Sequence, residues 1–188
     1  MPQLISELIV SLDMKARGPK SPGYYGYMGP EFQAWLDANN AKPHRKLMGR
    51  KTYELMNALP EQAKDDGWHK TTKQPGVLFS RTLQKSDWPG LQLVSGDAVG
   101  FLRELKQDGG TELRVLGSLS VIMRQLVAAN LLDTLRLMVC PLVVPETGVE
   151  PIFESMADTG LELASTKVLD GRILLLDYRP AGKPPGDT

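Results

Sequence analysis

Two cations and a hydroxyl stand directly behind a glycine in the run Met48-Gly49-Arg50-Lys51-Thr52. Arg45 to Met48 has the composition of a short strand and Thr52 to Met56 that of the helix it feeds, so the run is a strand-to-helix turn. Unpaired N–H groups at a helix start attract anions. Cations placed there oppose the helix dipole, and the arrangement becomes favourable when a phosphate sits between them. The plainer reading, a solvated Arg-Lys pair, is open on these residues alone. Leu116-Gly117-Ser118-Leu119-Ser120 repeats the scheme of strand, glycine, hydroxyl and helix start, with Ser118 readable as a simple N-cap. Two such turns on one sheet would let a pyrophosphate reach from one helix start to the next. Ser80-Arg81-Thr82, after a further strand, offers a cation to another phosphate.

Other chemistries find little support. Neither the GxGxxG fingerprint nor the GxxxxGK P-loop occurs, and GxSxG and HExxH are missing too. Cys140 is the single cysteine, which excludes an internal disulfide and a CxxC motif, and its place mid-strand before Pro141 suits a small buried residue. With only His44 and His69 beside it, far apart in sequence, no zinc site is expected and no metal is assigned. Lysine plus arginine balance aspartate plus glutamate at 22 each, so overall charge does not indicate a nucleic-acid binder. Apolar runs are too short to cross a bilayer, and the N-terminus lacks the pattern of a secretory signal, so a cytoplasmic protein is expected.

The elements that must position these turns follow from periodicity. Leu4 to Leu12 reads as a buried strand. Asp13 to Pro30 carries four glycines and three prolines, a density that argues against regular structure and fits either a mobile flap or an Ω-loop packed on Tyr24, Tyr25 and Tyr27. Pro30 opens a helix through Phe32 and Trp35 to about Asn39. Asn57 to Pro75 reads as loop with at most a helical turn. Val77 to Ser80, Leu91 to Ser95, Leu113 to Leu116 and Leu135 to Leu142 read as strands. Helices are expected from Ala98, with Asp97 as cap, to Gly109-Gly110, and from Ser118 to Ala129. Asp170-Gly171 between Leu161–Leu169 and Arg172–Tyr178 is a hairpin signal. Strands alternating with helices imply a three-layer α/β fold: a mostly parallel sheet with helices on both faces and an antiparallel C-terminal hairpin. One domain is expected over 1–179, with a disordered tail from Pro180 to Thr188.

Five motifs occur in one order: Ser11-Leu12-Asp13, Met48 to Glu54, Ser80-Arg81-Thr82-Leu83 followed by Trp88, Val115-Leu116-Gly117-Ser118, and Leu131 to Leu137 with Pro141. On these the chain resembles the C-terminal reductase domain of the bifunctional riboflavin-biosynthesis deaminase-reductase, which shares its fold with dihydrofolate reductase. The likeness runs from about Leu4 to Tyr178. It implies an NADPH-dependent reductase and a homodimer. A dimer fits an edge strand such as Leu135 to Leu142 needing cover, though pairing within the sheet would serve that strand equally. By motif, Gly49, Arg50, Lys51 and Thr52 bind the cofactor phosphates, with Arg50 near the adenosine 2′-phosphate. Ser80 and Arg81 flank the ribose, and Gly117, Ser118, Leu119 and Ser120 hold the pyrophosphate. Asp13 orients substrate or relays a proton, though an aspartate there is also a simple turn-former. On the substrate side stand Tyr25 of the flap and Glu31, Phe32 and Trp35 of the first helix.

Two departures from the family pattern stand out. Met14 follows Asp13 where these reductases usually have glycine, and Pro145 to Phe153 replaces a tighter glycine-containing stretch. The HxE and PCxxC motifs of the zinc deaminase half do not occur, so the resemblance implies the reduction step alone. That step is reduction of the ribosyl group of 5-amino-6-(5-phosphoribosylamino)uracil by hydride delivery to C1′. A reductase of pterins or another small molecule, and a non-catalytic ligand-binding protein on the same fold, are the alternatives.

Overall fold

The computed structural model describes residues 1–18, 24–117 and 120–184, with Tyr25, Ser120 and Val121 described as backbone only. The main sheet has eight strands in the order β5-β4-β3-β6-β1-β7-β10-β9. They are β1 (Leu4–Ser11), β3 (His44–Gly49), β4 (Gly76–Phe79), β5 (Leu91–Val94), β6 (Glu112–Leu116), β7 (Thr134–Cys140), β9 (Leu161–Leu169) and β10 (Ile173–Pro180). From β5 to β7 every pairing is parallel, and β10 joins β7 and β9 antiparallel. This is the expected architecture. Of the two readings of Leu135 to Leu142, pairing within the sheet holds: β7 lies between β1 and β10, and the edges are β5 and β9.

Alternation along β1 divides the molecule. Leu4, Leu8 and Val10 face a core built with Leu102 of α4 (Ala98–Gln107) and with Met123 and Leu126 of α5 (Ser120–Ala128). Asp97 caps α4 through the Val99 N–H, as its sequence position predicts. The opposite face carries α1 (Pro30–Ala41), α2 (Arg50–Asn57) and α3 (Asp66–Lys73) on two separate clusters. Phe32 of α1 packs with Met138, Leu169, Ile173 and Leu175, while Tyr53 of α2 packs with Met48, Leu78 and Trp88. Full burial of Phe32 contributes about 2 kcal/mol. Because the two clusters do not merge, a gap is left over the centre of the sheet.

Two segments expected to be irregular are regular. Lys15–Arg17 forms β2, paired antiparallel with β8 (Val149–Pro151), so the base of the flap is a strand held by the segment that departs from the family pattern. Backbone pairing outweighs glycine and proline content there. α3 was hidden by its polar composition. Asp65 caps it by accepting from the Trp68 N–H, and Trp68 packs edge-on against Trp88 at 5.9 Å, so one aromatic anchor holds an otherwise polar helix. At the C-terminus, Ala181 and Gly182 exchange hydrogen bonds with Gly160, which extends ordered pairing past the expected start of the tail.

The hairpin forms at Asp170-Gly171, both at positive φ (53° and 64°) as a type I′ turn requires. Asp170 does more than turn. Its carboxylate accepts from the N–H groups of Gly29, Glu31 and Phe32 at 2.8–3.1 Å and so caps α1 from the hairpin turn. A Cβ on Gly29 would fall 2.5 Å from that carboxylate, which is why glycine stands there.

Candidate functional site

The gap between α1 and α2 is a cleft of about 910 Å³ whose floor includes Glu7 and Ile9 of β1, Leu116 of β6 and Met138 of β7. Leu36 of α1 and Leu55 of α2 supply apolar walls. Lys51, Thr52 and Gly117 stand at one end, so the two glycine turns singled out by sequence open onto the same cavity. This is the C-terminal end of β3 and β6, where open α/β sheets bind ligands.

Gly49 is the extended N-cap of α2 and offers no side-chain acceptor, leaving the first N–H groups of the helix open. The helix begins at Arg50, two residues before the predicted start, so Arg50 and Lys51 occupy its first turn. Arg50 donates from Nη1 to Thr82 Oγ1 at 2.7 Å and pairs with Glu54 at 3.4 Å. The Arg50 and Ser80-Arg81-Thr82 turns are therefore neighbours. Ser80 is buried and its hydroxyl accepts from the N–H groups of Thr82 and Leu83, fixing that turn, while Arg81 is exposed. Gly117 has φ +78°, and a Cβ there would lie 2.5 Å from Thr52 Oγ1. Ser118 and Leu119 lie outside the described residues, as do the side chains of Ser120 and Tyr25.

Asp13 sits in the turn after β1, off the cleft lining, and accepts from the Val144 N–H at 3.1 Å. The Ser11 hydroxyl beside it and that N–H hold its carboxyl below the usual range. Tyr24 is buried close by, near Ser11, Asp13 and Cys140, and burial pushes its hydroxyl pKa up. Met14, next in the turn, has φ +58°, the conformation that favours glycine.

On α1 the sequence reading and the structure part. Phe32 is wholly buried in the hairpin cluster, and Glu31 accepts from the Asp170 N–H at 2.5 Å. The Trp35 ring lies over the Arg136 guanidinium at 5.5 Å. None of the three lines the cleft; the helix presents Leu36, Asp37 and Asn40 instead. An α-helix turns about 100° per residue, so a difference of one residue in how the helix is aligned changes which side chains meet the cavity.

Sequence reasoning also missed charged groups on the cleft. Glu150 of β8, at φ +62°, takes Arg17 at 3.0 Å and Lys51 at 2.7 Å on one oxygen, tying the flap's base to the start of α2. Nothing in the sequence signals that union. Glu7 is different: a glutamate inside the apolar run Leu4 to Val10 is itself a signal, and its partner Arg136 is its register neighbour on β7.

Solved structures of other proteins share this fold. A putative riboflavin biosynthesis protein from Shewanella sp. PV-4 superposes with a TM-score of 0.72 at 17% identity, over 96% of this chain and 99% of that one. A pyrimidine reductase-like protein from Corynebacterium diphtheriae gives 0.66 at 13%, over 96% and 92%. The Thermotoga maritima diaminohydroxyphosphoribosylaminopyrimidine deaminase/5-amino-6-(5-phosphoribosylamino)uracil reductase gives 0.66 at 14%, with 96% of this chain covering 57% of that longer one. No curated protein matches by sequence. The profile of the RibD C-terminal domain matches residues 2–175, nearly the whole chain and all five motifs, and the chain belongs to that family of reductase domains.

Proposed function

We propose that the protein is an NADPH-dependent reductase of a pyrimidine of the riboflavin pathway, with 5-amino-6-(5-phosphoribosylamino)uracil as the leading substrate. The observation that carries this reading is the meeting of Thr52 and Gly117 at the end of the cleft. There a missing Cβ keeps open a cradle between two strand-to-helix turns. Open N–H groups at the start of α2, the Thr52 hydroxyl, Lys51 and Arg50 fit a polyphosphate. Arg50 and Arg81, on adjoining turns, favour the 2′-phosphorylated cofactor, since a guanidinium fork matches a phosphate dianion. NADPH supplies the hydride when bound.

The chain's own residues do the rest. Leu36, Leu55, Ile9 and Met138 exclude water from the floor. Asp13, held ionised at neutral pH, does not give up a proton itself; standing off the cleft lining, it orients a substrate donor that reaches past the end of β1. The reading carries with it a homodimer and a cytoplasmic location. Light scattering checks the first, a monomer at tens of micromolar counting against it. Thermal protection tests the cofactor assignment: a hundredfold excess of NADPH over its Kd stabilises by about 2.7 kcal/mol. Absence of any Tm shift with millimolar NADPH rejects it, and substrate-dependent loss of reduced-nicotinamide absorbance with the pyrimidine, against none with dihydrofolate, separates the two substrate classes.

A further inference from the structure

A row of side chains crosses the sheet beneath α1: Leu116, Glu7, Arg136 and Asp177 are successive register partners on β6, β1, β7 and β10. Asp177 takes Arg136 in a two-pronged pair, Nε to Oδ1 at 2.7 Å and Nη2 to Oδ2 at 2.9 Å. Only Nη1 is left for Glu7, whose Oε1 it meets at 2.8 Å; the Asn39 amide donates to the same oxygen at 2.9 Å. Two carboxylates thus share one guanidinium. Glu7 Oε2 has no hydrogen-bond partner among the described residues, and the side chain is 8% exposed at the floor of the cleft. The side chain is held almost wholly inside the protein while this one oxygen opens onto the cleft, where a ligand's donor can meet it.

We propose that Glu7 orients the substrate by accepting ring N–H donors from a planar heterocycle lying between the apolar walls of the cleft. The uracil edge that carries N1–H next to a 6-amino group fits this chemistry; a ring offering only acceptors or methyl groups does not. Arg136 and Asn39 act through Glu7, fixing its rotamer so that Oε2 faces the cavity. The assignment rests on the pyrimidine-reductase reading for the choice of ring.

The test uses the full chain and two rings, 6-aminouracil and 6-amino-1,3-dimethyluracil, titrated by calorimetry and followed by saturation-transfer NMR. 6-Aminouracil binds, and the dimethylated ring, which keeps its amino group but has no ring N–H, binds at least about tenfold more weakly. Glu7→Gln weakens 6-aminouracil by about tenfold while leaving NADPH affinity unchanged. Equal binding of the two rings, or no binding of either at millimolar concentration, overturns the proposal on the unmodified protein, whether or not the variant folds. NADPH titration separates the two readings. A Glu7-dependent ring site without NADPH affinity overturns the reductase reading alone, and NADPH affinity with a ring site indifferent to methylation overturns this one alone.

Discussion

A Cβ placed on Gly117 would lie 2.5 Å from Thr52 Oγ1, so the two turns that sequence spacing marks as anion sites are in van der Waals contact with each other. The contact needs glycine twice, for space and for φ +78°. Gly117→Ala therefore destabilises the fold by about 1–2 kcal/mol from the left-handed backbone, with the steric term added. It also raises the Kd for NADPH at least about tenfold. Adding Thr52→Ala relieves the closest contact but not the backbone strain, and a double-mutant cycle read by denaturant titration gives the coupling. Full recovery in the double variant contradicts the account.

Arg50 reaches Thr82 at 2.7 Å and brings the β3–α2 turn beside Arg81. If these guanidinium groups read a 2′-phosphate, Arg50→Ala and Arg81→Ala each weaken NADPH by about tenfold or more and leave NADH within about twofold. Isothermal titration with both cofactors checks this. A uniform loss for both places the arginines on the pyrophosphate instead.

The layers, the parallel order and the hairpin were legible because apolar periodicity and an Asp-Gly pair report local geometry directly. The union of Gly49 to Thr52 with Gly117 was legible for the same reason, since both turns end parallel strands on one sheet. Contacts joining distant segments were not. Asp170 reaches Gly29 from 141 residues away in sequence, Glu150 gathers Arg17 and Lys51, and β2 finds β8, all through partners that a linear reading cannot pair. Whether Leu135 to Leu142 is an edge or an inner strand stayed open, because nothing local says that β10 returns beside it. Glu7 was missed, although a charge inside a buried strand is a signal, and its meaning depends on Arg136 and Asp177.

Asp13 is tied to Val144 through an ionised carboxylate. Asp13→Asn keeps an oxygen for that N–H and removes the charge. Tm and NADPH affinity stay close to those of the parent, whereas kcat with the pyrimidine falls by about a hundredfold. Single-turnover rates against NADPH concentration separate the two effects. An unchanged kcat reduces Asp13 to a turn-former.

Lys46 is buried on β3, its stem lying over Gly76, its ammonium donating to the Thr71 carbonyl and standing 5.2 Å from the Trp88 ring centre. Burial lowers its pKa to about 8. The unfolded chain then binds more protons than the folded one between pH 8 and about 10, so stability from this group rises with pH across that window. Lys46→Met carries no such titration. The variant is at least as stable as the parent at pH 7, and the parent gains on it by at most about 3 kcal/mol between pH 8 and 10. Urea titrations of both proteins at three pH values measure the gap, and a constant gap means that Lys46 is not desolvated.

Asp170 serves a turn and a helix start at once, which predicts a coupled loss. Desolvation raises its carboxyl, but the N–H groups of Glu31, Phe32 and Gly29 outweigh this and leave it below the usual carboxylate range. A lowered folded value contributes stability that is present above the unfolded pKa and is lost as pH falls through the folded one. Asp170→Asn keeps a residue that tolerates the left-handed turn, so the hairpin survives while the charged cap of α1 does not. Its Tm falls several degrees below the parent's at pH 7. The difference begins to close as pH falls below about 4, the unfolded carboxylate value, and is gone once pH passes below the lowered folded value, where the parent's own cap is protonated. Hydrogen exchange locates the effect: protection drops in the first turn of α1 and stays in the β9–β10 ladder, whereas equal loss in both would mean that the turn, not the cap, is what Asp170 holds.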